Sequence, residues 1–304
     1  MGKERKIDMR ITVFTPTYNR ANTLYRVYNS LINQTYKDFE WLIIDDGSSD
    51  NTNQVVNEFI NENKINIHYF YQENKGKHIA INNAVKRTNS ELFLIADSDD
   101  GFVDEALEIF VRFWDSIDEK EKYKGVTSKC IYADNNEIVG KSFPDKIFDC
   151  TDTEAFFKYK FRFEKWPIIK TEVLKEYPFP EPSDNLKFFP ETILWQTISQ
   201  KYCTRFIDIP LRIYYRDQDN ATTKNTRYKE NFFYWQYFLN NQLVNFKYYP
   251  FFFLKCILGH VRDSLLNNKK PKEIIDCIDN KIIKIFLALL LPFGWILFLK
   301  EKSK

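Results

Sequence analysis

At 304 residues, 44% hydrophobic and 28% charged, the chain has the size and balance of a packed globular protein, either one large domain or one domain with a smaller appendage. The net charge of +2 hides an asymmetry: residues 246–304 hold eleven Lys/Arg against five Asp/Glu, a basic and apolar tail that suits an anionic membrane surface and sets nucleic acid aside, a solvated basic face being the other reading. Five scattered cysteines without a Cys-x-x-Cys pair, and no His at metal-site spacing, exclude a zinc site or disulfide framework and read as reduced cytosolic thiols.

The charged N-terminus, MGKERKIDMR, has neither the apolar stretch of a secretory signal nor the Ser/Thr of a myristoylation site. Arg10–Thr15 is a short buried strand stopped by Pro16, and Asn22 caps a helix over Thr23–Asn33. Glu40–Ile44 is the second strand, after which Ser49 or Asp50 caps a helix to about Asn61. Ile65–Tyr71 is the third strand. Lys77–Arg87 is a helix with Ile79, Ala80, Asn83 and Ala84 near one face. Leu92–Ala96 is the fourth strand and Phe102–Trp114 an amphipathic helix. Strands alternating with helices at this rhythm make βαβ units and a mostly parallel sheet. From Lys124 the rhythm breaks. Val126–Tyr132 and Glu137–Val139 read as a hairpin, Thr153–Lys160 as a helix, Lys165–Lys170 as a strand, and the proline-rich stretch Tyr177–Pro190 as a loop. A helix over Glu191–Lys201 and strands at Arg205–Ile209 and Leu211–Tyr215 follow, and beyond Asp217 the pattern is helical and aromatic.

In an open α/β sheet, ligands bind outside the carboxyl ends of the strands. Every one of the first four strands ends here in polar residues: Thr15-Pro16-Thr17-Tyr18-Asn19-Arg20, Asp45-Asp46-Gly47-Ser48, Asn74-Lys75-Gly76-Lys77-His78 and Asp97-Ser98-Asp99-Asp100. One such cluster is a turn; four in succession are not explained by packing. Alternate carboxylates leaving a strand at 97–100 repel one another, and a divalent cation relieves the repulsion. Hard oxygen ligands suit Mg2+ or Mn2+, which bridge one or two carboxylates to substrate phosphates. An Asp-rich turn capping the next helix is the bland alternative. Gly76-Lys77 is not a P-loop, because the first glycine is missing and His78 stands where Ser/Thr belongs. Lys77 at a helix start faces a phosphate or, equally well, solvent. No Gly-x-Gly-x-x-Gly supports a dinucleotide site.

The segments TPTYNR (15–20), IIDDGSSD (43–50), NKGKHIAIN (74–82) and DSDD (97–100) closely resemble, in order and spacing, the family 2 glycosyltransferases. The resemblance implies the GT-A fold, an α/β, Rossmann-like mixed sheet flanked by helices, and inverting transfer from a nucleotide-sugar. By that likeness Thr15, Pro16 and Tyr18 line the nucleotide base, and Asp45, with Asp46 as second choice, accepts a hydrogen bond from uracil. Asp97 holds ribose or sugar hydroxyls, Asp99 ligates the metal on the diphosphate, and Lys77 lies near the sugar phosphate. Asn82 closes the third motif and counts among the donor-binding residues. Many members carry Ala-Arg-Asn where this chain has Ala80-Ile81-Asn82, so an arginine contact to the donor is lost or moved.

Members of the family also supply a catalytic carboxylate at the start of a later helix. Glu191 in FPETILW is the match, with Thr192 where a second carboxylate usually follows. Inverting transfer needs a base for the acceptor hydroxyl, and a carboxylate beside Phe189 and Pro190 is open to a raised pKa. An ordinary helix start explains the same residues; Asp184 is the second choice of base. The absence of Gln-x-x-Arg-Trp argues for one sugar per event. Two rivals remain weaker: a non-catalytic nucleotide- or carbohydrate-binding module, opposed by the intact DSDD and Glu191, and a nucleotidyltransferase, opposed by the lack of glycine in Thr15–Arg20.

The expected organisation is a catalytic domain over 1–220, its donor half 1–123 and acceptor half 124–220, then a C-terminal helical region, 221–304. Ile285–Leu299 is an apolar run interrupted by Pro292 and Gly294 and flanked by Lys281, Lys284, Lys300, Lys302 and Lys304. It is shorter than the roughly 20 residues of a span. It reads as a monotopic or re-entrant anchor over 282–299 on the cytoplasmic side of the cell membrane, with Tyr248–Leu258 along the same interface. A buried core helix and a full span are the alternatives. The expected partners are a nucleotide-sugar, a glycan or polyprenyl-linked acceptor and the inner membrane surface, in cell-surface polysaccharide biosynthesis.

Overall fold

The computed structural model describes residues 9–181, 186–216, 228–241, 243, 246 and 249–303. The first half is the expected alternation: β1 (Ile11–Thr17), α1 (Tyr25–Ile32), β2 (Phe39–Asp45), α2 (Thr52–Glu62), β3 (Ile67–Tyr71), α3 (Lys77–Arg87), β4 (Leu92–Ile95), β5 (Gly101–Phe102) and α4 (Ala106–Asp115). Then come β6 (Tyr123–Tyr132), β7 (Ile147–Cys150), α5 (Asp152–Phe157), β8 (Trp166–Lys170), α6 (Thr171–Glu176), α7 (Glu191–Ile198) and β9 (Cys203–Tyr214). The chain closes with α8 (Tyr228–Asn241), α9 (Pro250–Leu266), α10 (Pro271–Asp276) and α11 (Lys281–Lys302).

Among the described residues, nine strands share one mixed sheet, in the order β3-β2-β1-β4-β8-β6-β9-β5, with β7 also on β9. β1 to β4 are mutually parallel, while β8 runs antiparallel between β4 and β6. Alternation along the strands builds two cores. Val13, Trp41 and Ile43 face α1, α2 and α4 with Phe110 and Trp114, whereas Phe14, Leu42 and Ile44 face α3 and α7 with Ala84 and Leu194. A third core joins α8 to α11 around Phe238, Ile257 and Leu287, and Ile193 of α7 packs on both the second and the third.

Several local expectations are corrected. Asn22 does not cap α1: the helix starts at Tyr25 after turns in which Thr23 and Leu24 donate to the Arg20 carbonyl. Asn51, without a side-chain cap bond, occupies the N-cap of α2, although the Asp50 carboxylate accepts from Thr52 N at 3.0 Å. The buried face of α3 is His78, Ile81, Asn82 and Val85 with Ala80 and Ala84, so Ile79 and Asn83 lie off it. Gly101 and Phe102 pair with β9 instead of opening α4. The two expected strands near 205–215 are one, because Pro210 sits where the β6–β9 register shifts and needs no ladder bond there. Between Cys130–Tyr132 and Glu137–Val139 the expected hairpin survives as a bridge, Ile131 to Ile138.

The largest correction concerns the tail. Pro292 does not break the apolar run; α11 is continuous over 22 residues. Leu287 and Gly294, on either side of the proline, are both buried, and a Cβ on Gly294 would lie 2.3 Å from Val261 Cγ1 of α9. Docking on α9 thus holds both halves in line despite the bond that proline removes. By length and composition α11 could cross a membrane, and 17% of its most apolar stretch is buried. Of the second expected interfacial segment, Tyr248 lies outside the described residues, Phe251 is 81% exposed and Phe253 is buried.

Candidate active site

The loops after β1 and β2 are stitched together first. Asn19, at φ +53°, accepts through Oδ1 from Ser49 N at 2.8 Å and donates its own N–H to Ser48 Oγ at 2.8 Å. Asn tolerates this left-handed conformation better than most side chains. Asp46 N donates to the Thr17 carbonyl, carrying the β1–β2 ladder one residue beyond the strands.

The two aspartates after β2 then part. Asp45 accepts from Ser48 N at 2.8 Å and from the Tyr69 hydroxyl at 2.7 Å, on the face covered by α1 and α2. Asp46 accepts from Lys75 N and Gly76 N, both at 2.8 Å, and from Gln72 Nε2 at 2.7 Å. It therefore fixes the turn that starts α3. Gly76 has φ +93°, and a Cβ there would lie 2.0 Å from the Lys187 carbonyl oxygen, so only glycine lets the segment before α7 pass.

That approach brings the late helix to the sheet edge. Lys77 Nζ lies 2.6 Å from Asp97 Oδ1 and 2.8 Å from Glu191 Oε1. One ammonium thus joins the end of β4 to the start of α7. Burial works against this charge, but Asp97 and Glu191 outweigh it and hold the ammonium well above its ordinary range. Burial likewise pushes the Asp97 carboxyl up, and Lys77 and Arg212 overcome it, leaving Asp97 at about 2.

The carboxylates of Asp97-Ser98-Asp99-Asp100 do repel one another, but two of them are already met by a cation of the chain. Arg212 of β9 reaches Asp97 Oδ2 at 2.8 Å through Nη2 and Asp100 Oδ2 at 2.7 Å through Nε. Tyr215 N adds a bond to Asp100 Oδ1 at 3.1 Å. Asp99 stands 3.5 Å from Arg20, and burial with the nearby Asp97 charge raises its carboxyl above the usual range; burial pushes Asp100 up as well, to about 6. Among the described residues no group of three or more His, Cys, Asp or Glu could hold a metal unaided. The donor set fits a cation shared between Asp99 and oxygen atoms of a substrate.

Of the residues singled out from sequence, Lys77, Asp97 and Glu191 are joined by ion pairs, Asp46 holds the turn before Lys77, Asp99 faces Arg20, and Asp45 is bound to Tyr69. Pro16 is half-buried and Tyr18 48% exposed at the rim. Thr15 is turned inward, where its hydroxyl accepts from Trp41 Nε1 at 2.9 Å. Asn82 is also away from the cluster: its amide binds both polar atoms of the Phe179 backbone, at 2.8 and 2.9 Å, and so holds the loop leading to α7. Asp184 lies outside the described residues. Sequence reasoning missed Arg212 and gave Arg20 no role. A lone cation in the apolar run Leu211–Tyr214 was the available signal.

The family model for glycosyl transferase family 2 matches residues 12–164. An uncharacterized glycosyltransferase of Rickettsia felis is 27% identical over 287 residues, 90% of this chain and 44% of that one. The chain spans 33% to 44% of the length of this and two further Rickettsia relatives. The GalNAc(5)-diNAcBac-PP-undecaprenol beta-1,3-glucosyltransferase of Campylobacter jejuni is 28% identical over 212 residues, 67% of this chain and 64% of its own. Among solved structures, S. aureus TarS 1-349 in complex with UDP-GlcNAc superposes with a TM-score of 0.66 at 18% identity, over 94% of this chain and 89% of that one. The fold is the GT-A fold. Since the family match covers half the sequence and runs through all four strand-end loops, the chain belongs to glycosyl transferase family 2.

Proposed function

We propose that this chain transfers one sugar from a nucleotide-sugar, a UDP-sugar in the simplest reading, to a glycan or lipid-linked acceptor, with inversion at the anomeric carbon. The observation that carries this is the Lys77 ammonium held between Asp97 and Glu191, which couples the strand-end loops to a carboxylate at a helix start. UDP-GlcNAc in the TarS complex and the lipid-linked glycan in the name of the Campylobacter relative support the choice of donor and acceptor class.

In this reading Pro16 and Tyr18 flank the base. Asp46 holds the turn at Lys75 and Gly76 that aims Lys77 at the diphosphate. Asp97, kept ionised by its two cations, receives hydroxyls of the ribose or the sugar. Asp99 would hold Mg2+ or Mn2+, which when bound neutralises charge on the departing nucleotide diphosphate. Glu191 takes the proton of the acceptor hydroxyl as that oxygen forms its bond to the anomeric carbon. Lys77 occupies Glu191 Oε1, at 2.8 Å, where the acceptor hydroxyl would bind. The donor diphosphate competes for Lys77 and so releases Glu191, which makes donor binding precede acceptor activation.

Membrane contact belongs to the same reading. The exposed stripe Ile282, Ile285, Leu289, Phe293 and Ile296 runs the length of α11, with Lys281, Lys284, Lys300 and Lys302 at its ends. The opposite side of the helix, at Leu287 and Gly294, is docked on α9, which favours a helix lying in the surface over one surrounded by lipid. The helix lies in the surface of one leaflet, on the cytoplasmic side, as a monotopic anchor. A lipid-linked acceptor would meet the site there, within cell-surface polysaccharide assembly.

The reading is tested by a screen of UDP-, GDP- and dTDP-sugars with Mn2+ and with Mg2+, measuring release of nucleotide diphosphate. Turnover of a UDP-sugar only when a divalent ion is present is expected. Turnover of GDP-sugars alone, or equal rates in chelator, would remove the uracil or the metal assignment.

A further inference from the structure

α8, α9 and α11 enclose a groove of about 350 Å³ that shares no residue with the Lys77–Glu191 cluster. Trp235, Leu258 and Leu297 line it, and Phe251, Lys255 and Arg262 stand along it. Phe251, Lys255, Leu258 and Arg262 are spaced i, i+4, i+7 and i+11, which puts all four on one face of α9. Gly259, on the same helix, leaves the backbone open toward Trp235, where a Cβ would meet the indole at 3.1 Å.

The charges of the groove are ordered. Asp263, fully buried, accepts from Trp235 Nε1 at 2.8 Å and from Arg262 Nε at 2.6 Å. It fixes the indole and the guanidinium as neighbours in the wall. Lys255 is exposed. It thus stands as an exposed cation next to the Arg262–Asp263 pair and an apolar trough. That combination complements an amphiphile with one anionic phosphodiester and a hydrocarbon chain. Phe251 and Leu297 also belong to the exposed apolar surface, so the trough is open to the outside along α9 and α11.

We propose that this groove binds one anionic phospholipid of the bilayer on which α11 lies, its phosphate between Lys255 and Arg262 and its chain along Trp235, Leu258 and Leu297. The proposal rests on the membrane reading of α11 and adds to it a defined lipid site. A merely basic surface would treat all lysines near the membrane alike; a site does not.

The test uses the full chain and phosphatidylcholine vesicles with and without phosphatidylglycerol, read by flotation. Lys255→Glu is expected to weaken binding to the anionic vesicles about tenfold more than Lys300→Glu, which makes the same charge change at the end of α11. Phosphatidylglycerol brominated in its chain should quench a fluorescence component that disappears in Trp235→Phe. Since Trp235 also binds Asp263, Lys255→Glu, which leaves that bond in place, decides the matter if Trp235→Phe fails to fold. Equal losses for the two lysine variants would overturn the groove and leave α11 as an anchor. A wild-type chain that binds neither vesicle would overturn both, while the sugar-transfer reading would stand or fall on its own assay.

Discussion

At the scale of single residues, Lys77 is the pivot, because among the described residues it is the cation that pairs with both Asp97 and Glu191. Lys77→Met should lower turnover by about a hundredfold, the usual scale for one electrostatic contact to a developing charge. It should also abolish compulsory donor-first order, which initial-rate and product-inhibition patterns would register. Retention of ordered kinetics in the variant would mean that Lys77 does not restrain Glu191. A second residue speaks to pH. Burial pushes the His260 imidazole from 6.5 down to about 4, beside the Ile274 carbonyl at 3.2 Å. The unfolded chain therefore binds the extra proton first, so this contribution to stability is complete above about pH 6.5 and disappears as pH falls toward 4. Urea midpoints measured across that window should fall less steeply for His260→Gln than for the wild type. Asp46, Lys77 and Asp97 could be singled out from sequence because packing does not explain such polar residues at strand ends. Asn82 was misread because membership in a motif does not say which way a helical side chain points. Its helix phase sends it to Phe179.

At the scale of elements, the turn into α3 and the start of α7 form one device. Gly76→Ala would press a Cβ against the Lys187 carbonyl and strain the backbone at φ +93°. Strain of this kind costs about 1–3 kcal/mol, and a displaced Glu191 should lower kcat/KM by about a hundredfold. The comparison of melting temperature with kcat/KM separates the two effects; a variant with wild-type kcat/KM would show that the close approach has no catalytic meaning. α3 itself was readable end to end from its pattern. β5 was not, since two residues carry no period and their strand character comes from Arg212 and Ile213 of β9, more than a hundred positions away. α11 was misjudged for the opposite reason. A local rule for proline was applied where tertiary packing on Val261 overrides it.

For the whole molecule, the βαβ rhythm announced the parallel half of the sheet, whereas β6 to β9 were obscured by long-range pairings with mixed direction. The consequence of the full topology is that β9 delivers Arg212 to the end of β4. Ile193 of α7 meanwhile links the helix bearing Glu191 to the bundle of α8 to α11. The candidate site and α11 are thus parts of one packed body. Replacing Leu289 and Ile296 together by Asp should move the chain from the membrane to the soluble fraction while turnover of a soluble acceptor persists. Unchanged sedimentation with membranes would remove α11 as the anchor.

The central claim is that Glu191 removes the acceptor proton at a donor site built around Lys77 and Asp97. Its most direct test is to measure nucleotide diphosphate release and donor affinity side by side for Glu191→Gln. The account predicts turnover reduced by about 10²- to 10⁴-fold, with donor affinity kept within a few-fold of wild type. Full turnover in Glu191→Gln would contradict it.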